Sequence, residues 1–97
     1  MALKIVWTKQ AAKGFAKIIH YLETEWTAKE LVAFEQEMIT FFELLSTHPE
    51  ILQASSKMKN YRRGPINEHT MLTYRIKPRK QQIELINIRG TKQKPLK

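Results

Sequence analysis

The apolar residues of the chain recur at two different spacings, one before Ser56 and one after it. In the first part they return every three to four positions, which is typical of amphipathic helices. In the second part apolar and polar residues alternate, which predicts strands. A short alternating segment at residues 3–7 predicts one more strand, ahead of the helices. The order β-α-α-β-β-β indicates an α+β domain in which a helical hairpin packs on a mainly antiparallel four-stranded sheet.

Two helices are predicted between residues 8 and 48. Thr8 can cap the first helix, in which Gly14 is unfavourable because glycine costs about 1 kcal/mol relative to alanine there. Thr27 and Glu30 have the spacing of a capping box for the second helix, and Pro49 ends it. The short link between the helices favours an antiparallel hairpin with a shared apolar seam. The seam comprises Phe15, Ile18, Ile19, Leu22 and Trp26 from the first helix and Leu31, Phe34, Met38, Phe41, Phe42 and Leu45 from the second.

Three strands are predicted after Ser56. The first covers residues 57–62 and breaks at Gly64 and Pro65, and the second covers residues 70–77. The third covers residues 83–89 and is apolar on both faces, as expected of an inner strand, and a polar tail follows at residues 90–97. We expect the core between helices and sheet to include Trp7, Ile18, Phe41, Leu72, Tyr74 and Leu85.

The composition narrows the class of protein. A chain of 97 residues forms one domain, here taken as residues 1–97, and leaves no room for a second core. The absence of cysteine excludes a disulfide scaffold, a cysteine-ligated metal site and a thiol nucleophile. No segment resembles a signal peptide or is apolar enough to span a bilayer, so we expect a cytoplasmic protein with no membrane partner.

The charge is distributed very unevenly along the chain. The formal net charge is +8. Residues 1–56 carry five lysines against seven glutamates, which leaves −2, and residues 57–97 carry twelve basic against two acidic residues, which leaves +10. A field of this kind attracts a polyanion such as a nucleic acid or an acidic protein.

Candidate target-binding residues lie on the basic strands. Alternation sends Lys57, Lys59, Tyr61 and Arg63 to one face, a row of phosphate-binding groups with one aromatic ring among them. The alternative is a strand that carries lysine to discourage edge pairing. The whole candidate binding set is Lys57, Lys59, Arg62, Arg63, Arg75, Arg89, Lys92 and Lys94.

Few residues qualify for acid–base chemistry. His69 opens the strand after the basic row and is the one histidine that we expect to reach it, whereas His20 and His48 lie far away in sequence. The candidate catalytic residues are therefore Lys57, Lys59, Tyr61 and His69. The histidines are scattered and the chain has no aspartate and no glycine-rich phosphate loop, so the sequence predicts no metal and no cofactor.

Six short segments spread over essentially the whole chain are informative together: residues 5–8, Ala11 and Ala12, residues 18–22, Leu44 and Leu45 with Pro49, residues 74–76 and residues 83–86. In this order they resemble the RelE/ParE toxins of bacterial type II toxin–antitoxin modules. The resemblance implies a RelE/ParE-like fold. It also implies a small toxin held inactive by a cognate antitoxin that wraps its helices and sheet, with a toxin–antitoxin heterotetramer as one assembly.

The resemblance implies one of two activities. RelE-like relatives cleave mRNA on the ribosome with basic residues of the sheet and an arginine plus a tyrosine or histidine near the C-terminus. Lys57 and Lys59 match the paired lysines, but Met71 stands at an arginine position and no tyrosine or histidine follows Arg89. ParE-like relatives inhibit DNA gyrase and need no catalytic set, so this activity is favoured. A RelE-like mRNA endoribonuclease, a non-toxic nucleic-acid-binding module and a decayed toxin that only binds antitoxin remain alternatives.

Overall fold

The computed structural model describes residues 2–67 and 69–90 and contains two helices and a five-stranded sheet. The sheet has the order β1-β5-β4-β3-β2, with β1 and β5 parallel and all other neighbours antiparallel. The elements are β1 (Lys4–Trp7), α1 (Lys9–Glu25), α2 (Ala28–Thr47), β2 (Gln53–Ala54), β3 (Tyr61–Asn67), β4 (Thr70–Lys77) and β5 (Gln82–Gly90). The α+β class and the helical hairpin on a mainly antiparallel sheet are confirmed, with one strand more than expected.

Both helix starts use the caps that the sequence predicts. The Thr8 side chain accepts a hydrogen bond from the Ala11 backbone N–H at 3.1 Å, and its hydroxyl donates to the Leu85 carbonyl oxygen at 2.7 Å. Thr8 therefore starts α1 and also attaches it to β5. At the start of α2, Thr27 and Glu30 form the complete capping box, which satisfies two backbone donors that a helix terminus otherwise leaves unpaired.

The core lies between the helices and one face of the sheet. Ile18, Leu72, Tyr74 and Leu85 are buried as expected. Phe41 is only partly buried at the edge of this cluster, and the expectation that Trp7 is a core residue is wrong, since Trp7 is 40% exposed. The Trp7 ring instead covers the rim of the core, because it makes edge contacts with one ring from each helix, Phe15 of α1 and Phe42 of α2, with centroids 5.6 Å away in both cases.

The approach of α1 to β5 depends on Gly14. A Cβ atom on this residue would overlap the backbone carbonyl oxygen of Ile88 and come within 3.1 Å of its carbonyl carbon. The neighbour is backbone, which cannot rotate away as a side chain can. The glycine that is unfavourable for helix propensity is therefore the residue that lets α1 lie directly on the sheet, and the packing outweighs the propensity.

The strand predicted at residues 57–62 is misplaced in the sequence analysis. Residues 55–60 form a loop, and β3 begins at Tyr61 and continues through Gly64 and Pro65 to Asn67. Gly64 is buried, and a Cβ there would lie 3.1 Å from a methyl carbon of Leu52. This glycine therefore leaves room for the Leu52 side chain to pack against β3. Pro65 is accommodated because the pairing with β4 shifts register between Pro65 and Asn67, and a proline is tolerated at such a bulge.

The fifth strand, β2, has only two residues, Gln53 and Ala54, which pair with Arg63 and Arg62 of β3. A segment this short carries no readable alternation, so the sequence analysis missed it. No helix in the described part of the chain is long and apolar enough to cross a membrane.

Gly14→Ala is expected to lower the free energy of unfolding by about 1–3 kcal/mol, because the added methyl group meets the Ile88 backbone. At an unconstrained helix position the same change would stabilise by about 1 kcal/mol. Urea denaturation of the variant and of the original protein measures whether the free energy of unfolding falls or rises. Ala16→Gly, at an exposed position of the same helix, is the control and should cost about 1 kcal/mol from propensity alone. A Gly14→Ala protein more stable than the original would contradict the close approach.

Candidate functional site

The face of the sheet turned away from the helices, here called the open face, carries the candidate binding residues of β3, β4 and β5. Buried Leu72, Tyr74 and Leu85 point to the helices, and alternation sends their neighbours to the other side. Arg63, Arg75 and Arg89 are exposed. The register gives three rows across this face, namely Tyr61–Arg75–Glu84, Arg63–Thr73–Asn87 and Pro65–Met71–Arg89.

Tyr61 and Arg75 form the best-defined pair of the open face. They are direct partners in the β3–β4 register, and the guanidinium carbon of Arg75 lies 5.9 Å from the centroid of the Tyr61 ring. This distance is within the range of a cation–π contact. Glu84 is the β5 partner of Arg75, and its carboxylate lies 3.4 Å from the Lys77 ammonium nitrogen. The row thus combines an aromatic ring, a guanidinium group and a carboxylate that is already engaged by a lysine.

Lys57 and Lys59 lie in the loop before β3 and not on the strand, which corrects their predicted location. The Ser55 hydroxyl oxygen accepts hydrogen bonds from the backbone N–H groups of Lys57 and Met58, both at 3.1 Å, and so turns the chain. Asn60 then takes a positive φ of 67°, a left-handed conformation that asparagine tolerates better than most residues. Strand alternation therefore does not set the direction of either lysine.

The loop nevertheless brings both lysines beside the end of β3. Lys57 and Lys59 line a cavity of about 450 Å³ together with Tyr61 and Arg62. Lys59 also lines a second cavity of about 490 Å³, whose other basic residues are Arg75, Lys77, Arg79 and Lys80. No acidic residue is among the described residues that line this second cavity. Five of the lining side chains are cationic, so this end of the open face attracts anions.

Arg62 faces the helix side, opposite Arg63, and its guanidinium is used inside the protein. It donates to the carbonyl oxygen of Leu52 at 2.7 Å and to that of Glu50 at 3.3 Å. The neighbouring Tyr74 hydroxyl donates to the Pro49 carbonyl oxygen at 2.5 Å. Burial is the main reason that the pKa of the Tyr74 phenol lies above its usual value, so this donor keeps its proton. Arg62 and Tyr74 together hold residues 49–52 against the sheet.

His69 does not join the basic row, which corrects the expectation that it reaches this row. It lies in the turn between β3 and β4, about six strand residues or roughly 20 Å from Tyr61 along the sheet. Its ring makes an edge contact with Trp26, with centroids 4.9 Å apart, on the helix side. There it lines a cavity of about 470 Å³ with Trp26, Glu30, Ala33, Phe34, Glu37 and Asn67.

Arg89 lies at the other end of the open face from Tyr61. Its row is separated from the Tyr61 row by four residues of β4, which is roughly 13 Å. Lys92 and Lys94 lie outside the described residues. Within residues 2–67 and 69–90, no group of three or more acidic or histidine side chains is arranged to hold a metal ion.

One basic group has no counterpart among the predicted site residues, namely Lys9, Lys13 and Lys17 of α1. These residues are spaced four apart and line a cavity with Arg89 of β5. Their spacing of four residues in a predicted helix indicates that they lie on one face of that helix. The negative net charge of residues 1–56 concealed it, because the acidic residues that produce that charge lie after Tyr21.

Arg62→Met is expected to lower the free energy of unfolding by about 1–3 kcal/mol, because the variant leaves the Leu52 carbonyl oxygen without its charged donor. Arg63→Met is the matched control on the adjacent residue, which is exposed on the open face, and should change the stability by less than about 0.5 kcal/mol. Urea denaturation measures both values. Equal losses in the two variants would mean that Arg62 does not hold the 49–52 segment.

The sequence and the fold were compared with known proteins. Residues 5–95 match the model of a family described as the ParE toxin of the type II toxin–antitoxin system parDE. No curated protein matches the chain in sequence. Because the family match covers nearly the whole described chain, it is the comparison that bears on identity.

Solved structures share the fold. A chain in the chromosomal ParDE toxin–antitoxin system of P. aeruginosa has a TM-score of 0.71 at 14% identity, over 92% of this chain and 96% of that one. The isolated E. coli RelE toxin has a TM-score of 0.62 at 14% identity, over 97% and 89%. A chain of a RelBE toxin–antitoxin complex from Mycobacterium tuberculosis has 0.61 at 15% identity, over 93% and 92%. At these identities the likeness establishes the RelE/ParE-like fold.

Proposed function

The chain belongs to the ParE toxin family of type II toxin–antitoxin systems, and on that basis we propose that it acts by inhibiting DNA gyrase and is neutralised by a cognate antitoxin. The observation that supports gyrase over mRNA is the chemistry of the open face. This face offers cations for binding, whereas the groups on it that could move protons are already in contact with cations: Glu84 with Lys77, and Tyr61 with Arg75.

Cleavage of RNA by its own 2′-hydroxyl needs one group that accepts a proton and another that donates one. The exposed cations of the open face are Arg63, Arg75 and Arg89, and a guanidinium group serves poorly in either role. Glu84 is held by Lys77, and His69 packs against Trp26 on the helix side. Tyr61 is the remaining titratable group with an aromatic ring, and it lies against Arg75. A protein that inhibits gyrase by binding requires the cations and no proton transfer.

The runner-up is an mRNA endoribonuclease of the RelE type. One observation favours it, since Lys57, Lys59 and Tyr61 line the same cavity at the end of β3. Such a cluster can stabilise negative charge on a phosphate that is being cleaved. The two activities act on different targets, so an assay on each target separates them.

We place the antitoxin contact on the outer surface of α2. Val32 is 56% exposed and Ile39 is 50% exposed, although both are large apolar residues in a helix. They are seven positions apart, which is two helical turns, and therefore share one face. Exposed apolar anchors at this spacing suit an amphipathic partner segment. The basic sheet adds attraction for an acidic partner and speeds the encounter.

The first test adds the purified protein to a gyrase supercoiling reaction and, separately, to ribosomes translating an mRNA. Supercoiling should stop or cleaved DNA should accumulate, while the mRNA stays intact. Arg89→Glu should raise the inhibitory concentration about tenfold or more, because a like charge is now presented to the target. Lys29→Glu, which makes the same change in net charge on exposed α2, is the control.

The opposite result would be cut mRNA with unaffected gyrase. In that case Lys57→Ala with Lys59→Ala should slow cutting by about 10²–10³-fold, the usual loss for charge stabilisation of a transition state. Tyr61 would then be the residue to test for proton transfer. A protein that leaves both reactions unchanged would refute both activities.

The second test examines the antitoxin contact. Val32→Asp with Ile39→Asp should abolish the heterocomplex when the protein is co-expressed with the neighbouring gene, because two charges would be buried in an apolar contact. Ala33→Asp with Thr40→Asp is the control, since these exposed residues are also seven apart but lie about 100° around the helix from Val32 and Ile39. Co-purification on a tagged partner measures the complex. Loss in both pairs, or in neither, would contradict this placement.

A further inference from the structure

A groove of about 440 Å³ runs between α1 and β5, and we propose that it binds the phosphate backbone of double-stranded DNA. The groove is separate from the Tyr61 end of the open face and from the outer face of α2. Its lining residues are Lys9, Gln10, Lys13, Gly14, Lys17, Asn87, Ile88 and Arg89. The inference goes beyond gyrase inhibition and needs no gyrase to be tested.

The topology of the sheet creates this groove. β1 pairs with β5 only from Gln82 to Leu85, so within residues 2–67 and 69–90 no strand lies beside residues 86–90 of β5 on that side. Helix α1 starts at this point, where the Thr8 hydroxyl meets the Leu85 and Ile86 carbonyl oxygens, and runs along the unpaired part of β5. Gly14 brings the helix backbone onto Ile88, and this contact forms the floor.

The two walls are cationic and polar. Lys9, Lys13 and Lys17 are exposed on one face of α1, and exposed Arg89 stands on β5 across from them. The side chains of Gln10 and Asn87 join the walls through a hydrogen bond of 3.4 Å. None of the described residues that line the groove is acidic, so four positive charges converge without a carboxylate among them.

The chemistry of the walls favours nucleic acid over an acidic protein. Protein interfaces depend on buried apolar or aromatic anchors at their centre. The one large apolar lining residue, Ile88, is fully buried and offers no such anchor. Lysine, arginine, glutamine and asparagine are the side chains that contact phosphate oxygens in protein–DNA complexes.

The geometry favours a duplex over a single strand. Sites for unpaired nucleic acid place aromatic rings where bases can stack, and no aromatic residue is among the described residues that line this groove. The three lysines are four residues apart on a rigid helix, so each is turned about 40° from the one before, and they span about 12 Å along the helix axis. Over that length one strand of B-form DNA presents three to four phosphates at regular intervals. Charges held at regular spacing on a rigid helix match the regular backbone of a duplex better than a flexible single strand.

The test measures binding of the full-length protein to a fluorescent DNA duplex of mixed sequence, by anisotropy over a range of salt concentrations. The triple variant Lys9→Gln, Lys13→Gln and Lys17→Gln keeps helix propensity and removes the charges. The slope of log affinity against log salt concentration should be shallower in this variant by about 2.7. Each lost phosphate contact reduces the slope by about 0.9, and three contacts are lost. Thermal melts should match the original, because the three residues are exposed.

The control is Lys4→Gln with Lys29→Glu, which lowers the net charge by the same three units at exposed positions outside the groove. It should leave the slope within about one of the original. Equal losses in the control and in the groove variant would overturn the proposal in favour of diffuse attraction. Tighter binding of a single-stranded RNA or of a poly-glutamate peptide of equal charge, lost in the groove variant, would overturn it in favour of that ligand. Inhibition of gyrase by a groove variant that no longer binds DNA would leave the proposed function intact.

Discussion

The packing of α1 directly on the backbone of β5 at Gly14 is the contact on which the position of the helices over the sheet depends. A helix normally stays about 10 Å from the sheet it covers because side chains separate them, and glycine removes one of these spacers. With α1 held this low, Ala11, Ile18 and Leu22 are driven into the core. With those residues turned inward, Lys9, Lys13 and Lys17 of α1 face outward along the edge of the sheet. A single missing Cβ atom thus sets both the depth of the core and the position of a charged surface.

Much of the fold could be predicted from the sequence, in those segments where the capping residues and the spacing of apolar residues indicate the same element. The β1, β4 and β5 strands, both helices and both N-caps were predicted because alternation, helical spacing and the Thr27–Glu30 pair each carry the signal within a few residues. Residues 57–60 of the loop were predicted as strand because Lys57, Met58 and Lys59 alternate in polarity in either conformation. The decisive features are the Ser55 turn and the left-handed Asn60, which have no counterpart in the hydrophobic pattern.

The site was predictable only in part, for a related reason. Strand parity correctly placed Tyr61 with Arg63 and Arg75 on one face. Arg62 was predicted to bind the target, whereas its guanidinium faces the helix side and donates to the Leu52 carbonyl oxygen. That contact joins distant parts of the chain, as does the packing of His69 on Trp26. Contacts of this kind depend on how elements assemble, and local spacing does not encode them.

The pairing of the first strand with the last has a consequence during translation. Gly14 and Ile88 are 74 positions apart in sequence, so at about 5–20 residues per second the ribosome needs roughly 4–15 s to reach the partner of α1 after making the helix. Until then neither the three-stranded open face nor the groove beside α1 exists. The outer surface of α2 requires only its own helix and emerges first. A partner that recognises α2 therefore has a head start of several seconds over any target that needs the finished sheet.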